Sequence, residues 1–291
     1  MSKTGTCEHS PSADASVVNF DDSFRAISWL HTTLDLCVDA HVEKLRKQRP
    51  RRYARHVSLV EDKRVRGYRT LALEWSPEMA YVVGLLATDG CLSSDRRHII
   101  LTSRDQALVE TFLACLGRPI KYTVGRTRRG KRAYYAQFSD VLFYDWLLAR
   151  GLTPRKSLTL GAIDVPNAYL ISLARGLLDG DGSVCVFRNK PTRAKYPNYE
   201  YERLWVLFLS ASRAHIDWLQ GRLRESFGLE GYVERIVRKK RHDLFRLKYG
   251  KRESLVLLPL LYSDQDAPCL DRKRRKWFDY ASRNVCAGGG S

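Results

Sequence analysis

The sequence has no apolar run that could cross a bilayer. Its longest unbroken stretches, such as Leu204-Trp-Val-Leu-Phe-Leu209, fall far short of the roughly 20 residues a spanning helix needs. Residues 1–16 lack both the basic-then-apolar order of a secretory signal and the arginines of an organellar leader, so an intracellular, cytoplasmic protein is expected. Cys-x-x-Cys pairs are also missing. The seven cysteines are scattered without zinc spacing and read as buried or incidental thiols of a reducing compartment. The seven histidines show no metal-binding spacing either. Acid is scarce beside base: 32 Asp+Glu face 50 Lys+Arg, a net charge of +18. That imbalance favours a polyanionic partner, and no lipid-facing amphipathic helix stands out to make the partner a membrane.

The positive charge is clustered. Lys121 to Arg132 holds six basic residues and no acid, and Arg235 to Lys248 holds seven and one acid. Arg188, Lys190, Arg193 and Lys195 form a third group, with Tyr196 beside it, and Arg272-Lys-Arg-Arg-Lys276 a fourth. Any one could be a solvated face. Together they point to nucleic acid.

Two segments nearly repeat each other: Gly84-Leu-Leu-Ala-Thr-Asp-Gly90 and Gly176-Leu-Leu-Asp-Gly-Asp-Gly182. Average residue usage puts a chance second copy at about one in a thousand for a chain of this length. The similarity extends outward. In the first half, helical periodicity over 78–88 leads to a polar turn, a strand at 98–102 and a helix at 106–116. Strands at 120–124 and 132–138 and a helix at 141–148 follow. The second half gives a helix at 168–178, strands at 183–187 and 204–209 and a helix at 214–227. Strands at 231–237 and 244–249 and a helix at 253–261 complete it. The repeat unit is αββαββα, which makes the chain an α+β protein of two pseudo-symmetric halves. The expected division is 1–75 as an N-terminal extension, 76–160 and 166–285 as the repeats, 161–165 as linker and 286–291 as flexible tail. Within the extension, 24–45 carries an apolar helical stripe and 46–55 a basic run, while the opening residues read as disordered.

Asp89 and Asp181 each fall where a helix ends, with Gly90 and Gly182 expected to take the positive-φ cap position. A helix C-terminus offers free carbonyls and the negative end of the dipole, so a carboxylate there suits a hard cation such as Mg²⁺. Thr88 and Gly180, just before the aspartates, join them as candidate metal ligands. Gly84 and Gly176 would let the two helices pack closely and bring both aspartates together. Paired carboxylates that hold metal suit hydrolysis of a phosphodiester. Asp-Gly after a single helix is ordinary turn chemistry, so the argument rests on the two copies. Asp179 has Ala87 as its counterpart and receives no symmetric catalytic role.

Val82-Val-Gly-Leu-Leu-Ala-Thr-Asp-Gly90 and Ala174-Arg-Gly-Leu-Leu-Asp-Gly-Asp-Gly182 resemble the two motifs of single-chain LAGLIDADG homing endonucleases. The element order fits over residues 76–281, and the departure is Ala87, where the motif has its earlier Asp. The resemblance implies two curved antiparallel sheets laid in the DNA major groove, with the motif helices between them. It implies aspartates over the minor groove that bind Mg²⁺, or another divalent cation such as Mn²⁺ or Ca²⁺ at the same site, and an activity that cuts both strands there and leaves short 3′ overhangs. It also implies a basic residue near each scissile phosphate, for which Lys156 and Lys273 are the candidates. The expected DNA contacts are Lys121, Arg126, Arg128, Arg129, Lys131 and Arg132 in the first repeat. In the second they are Arg188, Lys190, Arg193, Lys195, Arg235, Arg238, Lys239, Lys240, Arg241, Arg246 and Lys248. Two repeats in one chain imply a monomer on a long asymmetric double-stranded target.

Rival patterns are weaker. Gly125-Arg-Thr-Arg-Arg-Gly-Lys131 begins like a phosphate-binding loop, but Arg132 stands where Ser or Thr is needed and no helix follows. Glu61-Asp-Lys63 lies in a polar stretch. A self-splicing insert would need an initial Cys or Ser and a final His-Asn; the chain runs from Met1 to Arg283-Asn-Val-Cys286 and beyond, so a freestanding or intron-encoded protein is expected. The principal alternative is a non-catalytic DNA- or RNA-binding protein of the same fold, a transcription regulator or an intron-splicing maturase.

Overall fold

The computed structural model describes residues 73–127, 129–189, 201–239 and 241–286. The first repeat runs α1 (Pro77–Thr88), β1 (Gly90–Leu92), β2 (His98–Ser103), α2 (Gln106–Leu116), β3 (Thr123–Arg126), β4 (Arg132–Ser139) and α3 (Val141–Ala149). Short 3₁₀ turns at Lys156–Leu158 and Asn167–Tyr169 lead to the second repeat. There the order is α4 (Leu170–Gly180), β5 (Ser183–Asn189), β6 (Tyr201–Ser210), α5 (Arg213–Phe227), β7 (Tyr232–Ile236), β8 (Leu244–Tyr249) and α6 (Lys251–Tyr262), followed by α7 (Asp271–Cys286). Each repeat forms one four-stranded antiparallel sheet, ordered β1-β2-β4-β3 and β5-β6-β8-β7. The protein is α+β and built on a repeated αββαββα unit.

Local chemistry sets the elements. The Ser76 hydroxyl accepts from the Met79 amide at 3.1 Å, and Pro77 occupies the first helical turn, where its missing N–H costs nothing. Every residue from Met79 to Ala87 is buried, so α1 is core on all sides. Gly117 and Gly228 end α2 and α5 in the left-handed conformation, φ 60° and 66°, which favours glycine. In β6, Leu204, Val206 and Phe208 are buried against the helices, while Arg203 and Trp205 alternate to the other face.

Three elements differ from expectation. Gly90–Leu92 is a strand rather than a turn, pairing Gly90 with Leu101 and Leu92 with Ile99; three residues are too few to show alternation. The third strand starts at Thr123, because Ile120 is folded into a turn by its amide bond to the Arg118 carbonyl, 2.8 Å. Helix α7 shows in the sequence only as the basic run 272–276, because its charges mask an inner face carrying the buried Tyr280. The helix expected at 24–45, the basic run 46–55, the disordered opening and residues 287–291 lie outside the described residues. So do residues 190–200, between β5 and β6.

Candidate functional site

Helices α1 and α4 meet at their glycines. A Cβ on Gly84 would lie 2.9 Å from the Gly176 Cα and collide with the Leu173 carbonyl, while one on Gly176 would lie 3.0 Å from the Gly84 Cα and collide with the Tyr81 carbonyl. Only hydrogen fits at either position. A Cβ on Gly180 would likewise strike the Thr88 side chain, so these two residues also form part of the contact.

This approach brings the two helix ends together. Asp89 and Asp181 are the C-caps, with matching right-handed backbones of φ −93°, ψ 0° and φ −94°, ψ −7°. Gly90 and Gly182 do not take the positive-φ position expected of them. Their lack of a side chain serves close return of the chain: a Cβ on Gly90 would lie 2.5 Å from the Leu86 Cα, and one on Gly182 2.7 Å from the Leu207 carbonyl. Burial pushes the Asp89 carboxyl up to about 6, and the neighbouring Asp181 charge adds to the rise. Asp181 reaches solvent, yet the protein packed around it also raises its carboxyl, against the pull of Lys273 and Lys156.

Lys156 and Lys273 are both buried beside this pair. Lys156, in the 3₁₀ turn, donates to the Gly90 carbonyl. Lys273, in the first turn of α7, donates to the Leu178, Asp179 and Gly182 carbonyls, the last two at 2.8 Å. Burial lowers both ammonium groups, Lys273 to about 8. Asp179 is also buried. It accepts from the Tyr81 hydroxyl at 3.0 Å, the Tyr262 hydroxyl at 3.2 Å and the Leu270 amide at 2.7 Å, so it ties α1, α6 and the approach to α7 together. Nothing in its spacing along the sequence announces these partners, which come from three distant segments.

A cavity of about 290 Å³ opens beside the helix ends, lined in part by Thr88, Lys156, Asp181, Ser210, His215 and Arg238. Burial lowers the His215 imidazole, whose Nδ1 lies 2.9 Å from the Gly161 carbonyl. Among the described residues no three His, Cys, Asp or Glu side chains gather to hold a metal. Two carboxylates still fit Mg²⁺, which binds through one or two carboxylates and completes its octahedron with water and phosphate oxygens. The Thr88 hydroxyl turns back onto the Leu85 carbonyl at 3.0 Å, so what Thr88 and Gly180 can add is main-chain carbonyl oxygen.

No family model and no curated protein sequence matches the chain. Solved structures do resemble it. One is the meganuclease I-AabMI bound to uncleaved DNA, 14% identical over 73% of this chain and 91% of that one, TM-score 0.48. Another is the homing endonuclease I-WcaI bound to its recognition sequence, 11% identical over 72% and 88%, TM-score 0.46. A third is full-length DUF199/WhiA from Thermatoga maritima, 14% identical over 74% and 69%, TM-score 0.43. These neighbours are LAGLIDADG proteins.

Around the two glycine-paired helices, strand alternation divides the basic residues. On the second sheet, Arg246 and Lys248 share the face turned away from the helices with Arg203 and Trp205. The Lys248 ammonium sits 3.8 Å from the centre of the Trp205 ring, and Arg203 lies over the same ring. Arg246 pairs with Glu234. Arg203 and Trp205 were not among the expected contacts; the alternation of β6 with buried Leu204 and Val206 was the available signal. Arg188 and Arg235 fall on the helix-facing side, paired with Glu202 at 3.5 Å and Asp243 at 2.6 Å. Arg238, Lys239 and Arg241 stand at the β7–β8 turn.

On the first sheet, Arg126 and Arg132 face each other across β3 and β4 on the side of Tyr134 and Ala136, beyond the end of the core. Lys121 is exposed before β3, and Arg129 and Lys131 are exposed in the following turn. The outward face carries Ile100, Thr102, Ala133, Tyr135 and Gln137. Arg128, Lys190, Arg193, Lys195 and Lys240 lie outside the described residues.

Proposed function

We propose that this chain is a LAGLIDADG-type endonuclease that cuts both strands of a long, asymmetric DNA site across the minor groove. The observation that carries the reading is the pair Asp89 and Asp181. Each comes from one repeat, they meet through the Gly84–Gly176 contact, and two buried lysines flank them. Residues 76–160 and 166–285 serve as the two half-site readers, and one chain supplies both, so a monomer suffices. Divalent cations at the two aspartates would polarise the scissile phosphate and activate water.

The chain's own groups have definable tasks. Asp89 and Asp181 supply carboxylate oxygens. The sheets orient the duplex, with Arg246 and Lys248 able to reach guanine edges or phosphates in the major groove. Water oxygen bonds to phosphorus and the P–O3′ bond breaks; the attacking water loses its proton to solvent and the leaving oxygen gains one.

Incubation with Mg²⁺ and a randomised DNA library, followed by sequencing of cut ends, tests the reading. Cutting at a defined site is expected from the wild type. Tight binding without cutting would replace the nuclease reading with the non-catalytic one.

A further inference from the structure

The two lysines beside the aspartates are not equivalent. An ammonium group has three N–H donors. Lys273 has an acceptor for each: the carbonyls of Leu178, Asp179 and Gly182, which belong to the last turn of α4 and the residues just beyond it. Its helix is fixed in turn, because the Asp179 carboxylate receives the Leu270 amide and the Lys273 amide bonds to the Leu270 carbonyl at 2.8 Å. Lys273 therefore completes the C-terminus of a helix, where a cation is favoured by both the free carbonyls and the dipole. Lys156 has one acceptor among the described residues, the Gly90 carbonyl, and its side chain lines the 290 Å³ cavity together with Asp181 and Arg238. Two of its donors remain for an incoming phosphate oxygen or water.

The cause of the difference lies one turn back. Ala87 stands in the first repeat where Asp179 stands in the second, and Leu173 stands where α1 has Tyr81. The hydrogen-bond network that anchors α7 thus has no counterpart around Ala87, and the cavity wall there is Ala87, Leu160 and Leu177.

We propose that Lys156 alone of the pair donates to the substrate phosphate, that Asp179 is a positioning residue holding Lys273 as a helix cap, and that the two DNA strands are consequently cut at unequal rates. The strand served by Lys156 is cut first. This rests on the endonuclease reading above.

The test uses the full chain and a duplex carrying the selected site, with a different fluorophore on each strand. Wild type is expected to accumulate nicked duplex, with the two strand rates differing at least about fivefold. Lys156→Met should remove cutting of the fast strand, and Asp179→Asn, which loosens α7, should bring the two rates closer together. A second measurement needs no DNA: Lys273→Met should lower Tm by several degrees more than Lys156→Met, because it leaves three buried carbonyls unpaired. Equal strand rates in the wild type would overturn the proposal, as would equal Tm losses for the two lysine variants. A wild type that binds the duplex and cuts neither strand would overturn the endonuclease reading instead, leaving the Tm comparison to judge the cap.

Discussion

The two repeats share a chain path and differ in what they place on it. Both carry an Asp-Gly after a motif helix, a glycine that lets the helices touch, and a buried lysine bonded to the glycine carbonyl that follows the aspartate. Around that common frame the second repeat adds Asp179, which takes hydroxyls from its own Tyr262 and from Tyr81 of α1, a closing helix α7, and an outward sheet face bearing Arg203, Arg246 and Lys248. The first has Ala87, a 3₁₀ turn, and an outward face of Ile100, Thr102, Tyr135 and Gln137. What must be alike is held by backbone contacts at close quarters, where even a methyl group does not fit. What can differ sits on side chains whose neighbours each half chooses for itself.

The comparison can be broken first at its symmetric part. Asp89→Asn and Asp181→Asn should each reduce DNA cleavage at least about a thousandfold while leaving binding in Ca²⁺ largely intact, as measured by single-turnover assays. Undiminished cutting in both variants would remove the proposed site. Gly84→Ala and Gly176→Ala should be matched in stability cost, each losing about 2–3 kcal/mol in denaturant unfolding, because each added methyl meets backbone.

The asymmetric features sharpen it. Arg246→Ala combined with Lys248→Ala should weaken DNA binding about 10- to 100-fold and lower the salt slope by about one for each lost phosphate contact. Thr102→Ala with Gln137→Ala on the first sheet should change the slope by nearly nothing, and a matching fall there would erase the distinction between the faces. The smallest effect concerns pH. Asp89 titrates near 6 in the folded state against an ordinary 3.8, so the folded protein binds the extra proton across that interval. Metal-free stability of the wild type relative to Asp89→Asn should therefore fall as pH rises from 4 to 6 and level off above, with Tm partly restored by Mg²⁺. A wild-type Tm that climbs relative to that of Asp89→Asn over this interval would contradict the burial-raised Asp89 carboxyl.

Much of this was legible in residue order. The helices ending at Gly117 and Gly228 declare themselves by apolar periodicity and a glycine stop, and the strand at 244–249 by its alternation. The repeated Asp-Gly singled out Asp89 and Asp181. At Gly90 and Gly182 the sequence shows that glycine is required but not whether φ or space requires it, and space is the reason. Charge counts carry no face and so do not separate Arg126 and Arg132 from Arg246 and Lys248; the pairing register puts the first two on the helix-facing side of their sheet and the last two on the outward side of theirs. Asp179 could not be read at all from its neighbours in sequence.

The sequence by itself therefore determined the repeat, most of the secondary elements and the matched Asp-Gly helix ends, since each is a local pattern or a comparison of one stretch with another. Tertiary structure alone decided which face each described cation occupies, that among the described residues Lys273 has an acceptor for every donor while Lys156 has one, and that Asp179 joins Tyr81, Tyr262 and Leu270. Those facts depend on groups up to 98 residues apart meeting within hydrogen-bond range, and no local preference of the chain encodes such a meeting.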